Sequence, residues 1–207
     1  MKQNKKNKKF VYLISPNKIT DINFYNDLAL VLSSKKISFF QLRLKKETNS
    51  NKLIIGKKIK KICNKYKVKF LVNDDPLLAK KLNADGCHLG QKDMNLIKAR
   101  KILKNKIIGV TCHNSINLAK KAIEAGADYL AFGAFYASKT KIVKYRASLT
   151  VLKSIKKITS LPIVAIGGIK LNNYKKLLLN KANFLAISGY IWNNKKYKPL
   201  EAIKKLK

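Results

Sequence analysis

The sequence predicts one (β/α)8 barrel of the TIM type, and three observations carry that reading. Short apolar runs alternate with amphipathic segments eight times from end to end. The runs are continuously apolar, as expected for parallel strands buried on both faces. Eight repeats in 207 residues leave about 26 residues each, the size of a small barrel, so an open doubly wound sheet is the less favoured arrangement.

The units follow in order. Phe10-Val11-Tyr12-Leu13-Ile14 supplies a first strand at 10–15, followed by an amphipathic helix at 23–34. A second strand at 37–44 precedes a helix at 51–66. The third strand, 69–73, is built on Phe70-Leu71-Val72 and leads into a helix at 76–82, with Pro76 at its first position and Asp75 as its N-cap. Strand 86–89 precedes helix 95–103, strand 107–111 precedes helix 115–125, and strand 129–133 precedes helix 148–159. Strand 163–167 with helix 172–179, then strand 184–188 with helix 199–206, complete the count.

Residues 10–207 read as one catalytic domain, because no Pro/Gly/Ser-rich linker interrupts the repeats. Residues 1–9 read as a polar, basic, flexible arm without the apolar segment of a secretory signal. The expected compartment is the cytoplasm. Cys63, Cys87 and Cys112 are odd in number and fit neither a zinc knuckle nor a disulfide framework. Cys87-His88 and Cys112-His113 resemble nucleophile–base pairs, but neighbours in a strand face opposite ways, so reduced structural thiols are expected.

The formal charge of +36 would suggest nucleic acid. Against that, the excess is almost all Lys, spread over the whole length, with only Arg43, Arg100 and Arg146 to offer a guanidinium fork. We read a solvated Lys-rich surface, with no specific nucleic acid and no membrane as partner.

Acid is scarce, with ten Asp and Glu in all, yet Asp74, Asp75, Asp85 and Asp93 fall in one stretch at the ends of two apolar runs. Asp74 and Asp93, expected at the C-terminal ends of neighbouring strands, could hold one Mg²⁺ that takes its remaining ligands from water and a diphosphate. Asp85, at the opposite rim, is expected to turn the chain. Gln41, Arg43 and Lys45 are spaced by two and should all face the barrel mouth, with Leu42 and Leu44 facing the helices; two inward cations then call for a phosphate or diphosphate, or for Arg43 to pair internally with Asp74 or Asp93. Asn73 and Thr111 end further strands. His88 is read as either a packed core residue or a ligand. Gly167-Gly168 and Ile187-Ser188-Gly189, after strands seven and eight, suit an anion cradle. The loop 137–146, with Ser138, Thr140 and Lys141, could close over phosphate.

These residues resemble the thiamine phosphate synthase family from Phe10 to about Ile191. The matching elements fall in family order: Gln41-Leu42-Arg43-x-Lys45, Asn73-Asp74, Gly86-x-His88-Leu89-Gly90-Gln91-x-Asp93, Ile108-Gly109-Val110-Thr111, Gly126-Ala127-Asp128-Tyr129, Thr140-Lys141, Ile166-Gly167-Gly168-Ile169 and Ile187-Ser188. The resemblance implies Mg²⁺-dependent joining of hydroxymethylpyrimidine diphosphate to a thiazole phosphate on a (β/α)8 barrel. It implies that Gln41, Arg43, Lys45, Asn73, Thr111 and Lys141 surround the pyrimidine diphosphate, that Asp74 and Asp93 hold the metal, and that Arg43, Lys45, Thr111 and Lys141 carry catalysis. Ser138 and Thr140 would contact the thiazole phosphate or the diphosphate, with Gly168, Ile187 and Ser188 binding the thiazole phosphate. The chain departs from the family at Leu44, commonly acidic; at Asp75, commonly Arg; at Thr111, commonly Ser; and at Ala137-Ser138, commonly Pro-Thr.

Two rival readings make different demands. A thiazole tautomerase on the same barrel would use His113 as acid or base; a basic nucleic-acid-binding protein would need concentrated Arg and aromatic surface, which the sequence lacks. The expected assembly is a monomer or a homo-oligomer acting on small phosphorylated molecules.

Overall fold

The computed structural model describes residues 9–137 and 144–207. Its strands are β1 (Val11–Ile14), β2 (Ile37–Leu42), β3 (Lys69–Asn73), β4 (Gly86–Leu89), β5 (Ile107–His113), β6 (Tyr129–Gly133), β7 (Ile163–Ile166) and β8 (Phe184–Ile187). All pair in parallel, in sequence order, and β8 returns to β1 through Val11↔Leu185 and Tyr12↔Ala186 to close the barrel. Around them lie α1 (Asn23–Ser33), α2 (Asn49–Lys65), α3 (Pro76–Lys81), α4 (Leu96–Leu103), α5 (Ile116–Glu124), α6 (Leu149–Lys156), α7 (Tyr174–Leu179), α8 (Gly189–Trp192) and α9 (Pro199–Lys205). The expected barrel and its eight units are therefore present. The short α8 is an addition, and β2 stops at Leu42, which leaves Arg43 and Lys45 on the loop beyond the strand. The basic arm reading, residues 1–9, falls almost wholly outside the described residues.

The period of two sorts each strand between two cores. Val11 and Leu13, Phe70 and Val72, and Leu130 and Phe132 face the helices in one large cluster, which also takes Cys63, Cys87 and Cys112. Tyr12 and Ile14, Leu71, Tyr129 and Ala131, Val164 and Ala186 face inward and fill the barrel with Phe39, Ile107, Ile166 and Phe184. Large and small side chains alternate there. Gly109 pairs with Tyr129 across β5 and β6, and a Cβ on Gly109 would lie 1.8 Å from the Tyr129 ring, so glycine is what admits the tyrosine.

Each rim has its own polar chemistry. At the C-terminal rim, helix N-termini are capped by Thr48, Asp75, Asn95 and Ser115, whose side chains accept amides of the first turn; Asp75 takes the Leu78 N–H at 2.9 Å, as its place before Pro76 predicts. At the opposite rim a device recurs. Asp85, Asp128 and Asn183 stand just before β4, β6 and β8, and each accepts an N–H from the strand before: Phe70 at 2.9 Å, Ile108 at 2.7 Å and Ile163 at 2.9 Å. The same carboxylates pair with Lys69 and Arg100. Asp85 thus serves the fold, as its position predicts, and Asp128 in the Gly126-Ala127-Asp128-Tyr129 motif does so too. With Lys45–Asp74, these make three ion pairs among the described residues.

Candidate active site

At the C-terminal rim, Asp74 follows β3 in a left-handed conformation (φ 64°), held by its N–H donating to the His88 carbonyl at 2.8 Å. Asp93 lies four residues past β4, in a tight turn where its Oδ2 accepts the Gly90 N–H at 2.7 Å. A Cβ on Gly90 would stand 2.8 Å from that oxygen, so glycine lets the carboxylate fold back over the turn. The two carboxyl groups lie close enough for each to shift the other's ionisation. Burial, the Asp74 hydrogen bond and the Asp74 charge push the Asp93 carboxyl above its usual range. Burial works against ionisation of Asp74 as well, but the hydrogen bonds from Asp93 and Lys45 and the Lys45 charge outweigh it and hold that group low. Two neighbouring carboxylates oppose each other's ionisation, so one stays low while the other rises.

The cations differ in their engagement. Lys45 Nζ lies 3.0 Å from Asp74 Oδ2 with about half its side chain exposed. Lys45 finds a counter-charge on Asp74, since β2 ends before it and frees its long stem to reach the neighbouring loop. Arg43 is half-buried, its Nη1 donating to Asn17 Oδ1 at 3.1 Å and its N–H to the buried Ser15 hydroxyl at 2.9 Å. Burial pulls its guanidinium pKa down and the Asp74 charge opposes that. Leu42 and Leu44 are buried against the helices, as the spacing predicts.

Inside the barrel a hydrogen-bonded chain escaped the sequence reading. Gln41 Nε2 donates to Tyr12 Oη at 3.0 Å, Tyr12 Oη meets Tyr129 Oη at 2.8 Å, Tyr129 Oη meets His88 Nδ1 at 2.8 Å, and His88 Nε2 meets Thr111 Oγ1 at 2.8 Å. Five strands contribute one residue each. His88 is therefore the packed, hydrogen-bonded core residue of the two alternatives. Thr111 is half-buried, its carbonyl accepting from the Gln91 side chain, and β5 continues two residues past it to His113, whose ring stacks on Tyr145 at 4.1 Å. Asn73 is half-buried at the end of β3.

Gly167 and Gly168 both have positive φ, 105° and 61°. Side chains there would strike the segment 134–137: a Cβ on Gly168 would lie 2.2 Å from the Ala137 carbonyl, and one on Gly167 would lie 2.4 Å from Ala134 Cβ. The glycines thus let the β6–α6 loop settle on the β7–α7 loop, where Phe135 and Tyr136 donate to the Ile166 and Gly167 carbonyls. Ile187 is buried, and the Ser188 hydroxyl donates to the Ser15 carbonyl at 3.0 Å. Ser15, absent from the sequence-based candidates, joins the ends of β1 and β2 and the start of α8 through these bonds. Ser138, Thr140 and Lys141 lie outside the described residues. Burial raises all three cysteine thiols, that of Cys112 to about 12, and Cys87 faces away from His88, consistent with structural thiols. Among the described residues no group of three or more His, Cys, Asp or Glu gathers as a metal cluster, and no helix is long and apolar enough to cross a membrane.

A family model for thiamine monophosphate synthase matches residues 11–191, from the first residue of β1 into α8. The chain belongs to that family. It is 94% identical over 207 residues to a thiamine-phosphate synthase of Pelagibacter ubique, covering both chains completely. It is 41% identical over 180 residues to one of Marinobacter nauticus, covering 86% of this chain and 81% of the other. Among solved structures, a thiamine phosphate pyrophosphorylase from Pyrococcus furiosus superposes with a TM-score of 0.83 at 26% identity over 97% and 94% of the two chains. A 3-hexulose-6-phosphate synthase (TM-score 0.69, 16% identity over 95% and 98% of the chains) shares the fold alone. As a member of the thiamine monophosphate synthase family the protein is an enzyme, a transferase of thiamine biosynthesis that forms thiamine phosphate.

Proposed function

We propose that the chain joins hydroxymethylpyrimidine diphosphate to thiazole phosphate by a dissociative substitution, with Asp74 and Asp93 as the metal ligands. The observation that carries this reading is the meeting of those two carboxylates beside Lys45 and Arg43 at the C-terminal rim. Two half-buried acids side by side, with one lysine for balance, suit a hard divalent cation that binds both once they are ionised. Mg²⁺ bound there would supply charge stabilisation to a departing diphosphate.

The chain's own groups do the rest. Arg43 forks onto the diphosphate, and Lys45 supplies a second positive charge to the same oxygens. Gln41, Asn73 and Thr111 surround the pyrimidine. Gly168, Ile187 and Ser188 hold the thiazole phosphate through main-chain groups. Lys141, with Thr140 and Ser138, is carried over from the family resemblance as a diphosphate or phosphate contact. No nucleophilic side chain is needed, since the thiazole nitrogen captures the pyrimidine-methyl cation after diphosphate leaves. The protein works on small phosphorylated substrates in the cytoplasm, without a specific nucleic-acid partner.

Incubating the protein with both precursors and Mg²⁺ should yield thiamine phosphate and diphosphate in equal amounts, and a chelator should stop it. Turnover untouched by chelation would refute the metal assignment; absence of product under all conditions would refute the activity.

A further inference from the structure

We propose that the floor of the barrel carries a second anion site, in which Lys60, Lys69 and Lys106 hold a phosphate-class dianion at the rim opposite the candidate active site. A cavity of about 450 Å³ opens there at the N-terminal ends of β3, β4 and β5, and all three lysines line it. Its frame is backbone. The Asp85 N–H donates to the Phe70 carbonyl at 2.8 Å and the Ile107 N–H to the Asp85 carbonyl at 3.0 Å, which ties the starts of the three strands together. Gly86 permits that closeness, since a Cβ there would lie 1.9 Å from the Ile107 carbonyl oxygen.

Surface lysines ordinarily swing through many rotamers, whereas these are held. Lys60 Nζ donates to the Leu82 carbonyl at 3.1 Å and to the Asn83 carbonyl, and Lys106 Nζ donates to Asn83 Oδ1 and the Ala84 carbonyl, both at 2.6 Å. An ammonium group has three protons, so each keeps one beyond those bonds, and Lys69, bonded to Asp85 Oδ1 at 2.8 Å, keeps two. The carbonyls fix position but cancel no full charge. Three ammonium groups and one carboxylate, Asp85, therefore leave the walls with two positive charges. Burial and then the Lys60 charge pull the Lys106 pKa down, as expected of like charges held together, with Asp85 opposing. Capping of the α3 C-terminus explains where Lys60 and Lys106 rest, but not the third lysine or the cavity they share. A dianion would relieve the repulsion. A tetrahedral oxyanion suits the walls better than a planar carboxylate, because ammonium groups act as point charges and no Arg among the described residues lines the cavity to offer a fork.

The inference does not depend on the synthase reading. Full-length protein labelled with nitrogen-15 would be titrated with inorganic phosphate at constant ionic strength, beside a series in which chloride alone is varied. The expected result is a saturable shift of the Ala84, Asp85, Lys106 and Ile107 amide signals with phosphate only. Lys106→Gln should weaken that binding about tenfold, while Lys106→Arg, which keeps the charge, should stay within about threefold of wild type. Lys69→Gln removes a charge without touching the α3 carbonyls and should weaken binding similarly, which keeps the test decisive if Lys106→Gln fails to fold. Arg43→Lys, at the other rim, should leave the floor titration unchanged. Glycerol phosphate in a parallel series separates the two sources of such a dianion: affinity equal to that of phosphate supports a free ion, and tighter binding supports a phosphoryl group carried on a larger molecule. Floor signals that respond equally to chloride, shifts that never saturate, shifts confined to the mouth around Asp74 and Thr111, or binding that survives the loss of either lysine charge would overturn the proposal.

Discussion

Replacing Gly109 by Ala tests the link between barrel packing and the interior hydrogen-bonded chain. The new Cβ would lie 1.8 Å from Tyr129 Cζ and 2.2 Å from both Cε atoms, whereas carbon atoms rest at about 3.5–4.0 Å. The ring must therefore withdraw by well over an ångström. Its hydroxyl sits 2.8 Å from both Tyr12 and His88, and a displacement of that size breaks both bonds. Overpacking costs about 1–3 kcal/mol and two neutral hydrogen bonds about 1 kcal/mol each. The total of about 3–5 kcal/mol is a large share of a domain's stability, which is about 5–15 kcal/mol. Urea unfolding followed by circular dichroism measures it, with an unchanged m-value expected. In a Tyr129→Leu background, where no ring opposes the methyl, Gly109→Ala should cost less than about 1.5 kcal/mol. A cost below about 0.5 kcal/mol in the wild-type background, or equal costs in both, would refute the reasoning.

Metal binding should tighten as pH rises through the raised Asp93 value, by up to about tenfold per unit, because both carboxylates must ionise; Mg²⁺ calorimetry would detect this, and Asp93→Asn should abolish both the dependence and most turnover. The effect on folding has the opposite sign: a carboxyl raised in the native state contributes stability below its unfolded pKa and loses it as pH climbs through the folded one. Arg43→Lys keeps a charge but loses the fork, so kcat/KM should fall about tenfold or more, and unchanged kinetics would mean that net charge alone matters there. Asp128→Ala strips the Ile108 amide of its acceptor and Arg100 of its carboxylate, and should cost about 1–3 kcal/mol with kcat unchanged, read by thermal unfolding and faster exchange of the Ile108 amide. DNA binding should be weak, blind to sequence and steeply lost with salt in filter assays; tight, selective binding at physiological salt would contradict a solvated surface.

The barrel was legible because period and run length are one-dimensional signals: inward Tyr12 and Ile14 against outward Val11 and Leu13 needed only the alternation. Asp75 and Asp85 were legible too, one from the following proline and the other from its rim. What escaped depended on reach across strands. The Lys45–Asp74 pair is invisible in the sequence because spacing gives direction and not the partner a flexible stem finds once its strand has ended. Tyr12 and Tyr129 sit within apolar runs and read as packing; a Gly at 109 in register with Tyr129 is the signal that a ring fills the barrel axis, but register is unknown before strands pair. Ser15 and α8 are obscured in the same way, the Ser15 carbonyl accepting from a residue 173 positions away.

Three ion pairs among the described residues, in a chain of net charge +36, leave most lysines with no carboxylate to answer them. Most of the few acids serve helix starts, the barrel floor or the mouth, which leaves little for surface neutralisation at scale. Balance must then come from the medium. With a Debye length of about 10 Å at 0.1 M salt and about 30 Å at 0.01 M, self-repulsion that is muted in the first buffer spreads across the whole molecule in the second. Dissolved anions thus act as a diffuse, exchangeable part of this fold, and dilution of salt is a denaturing stress on it.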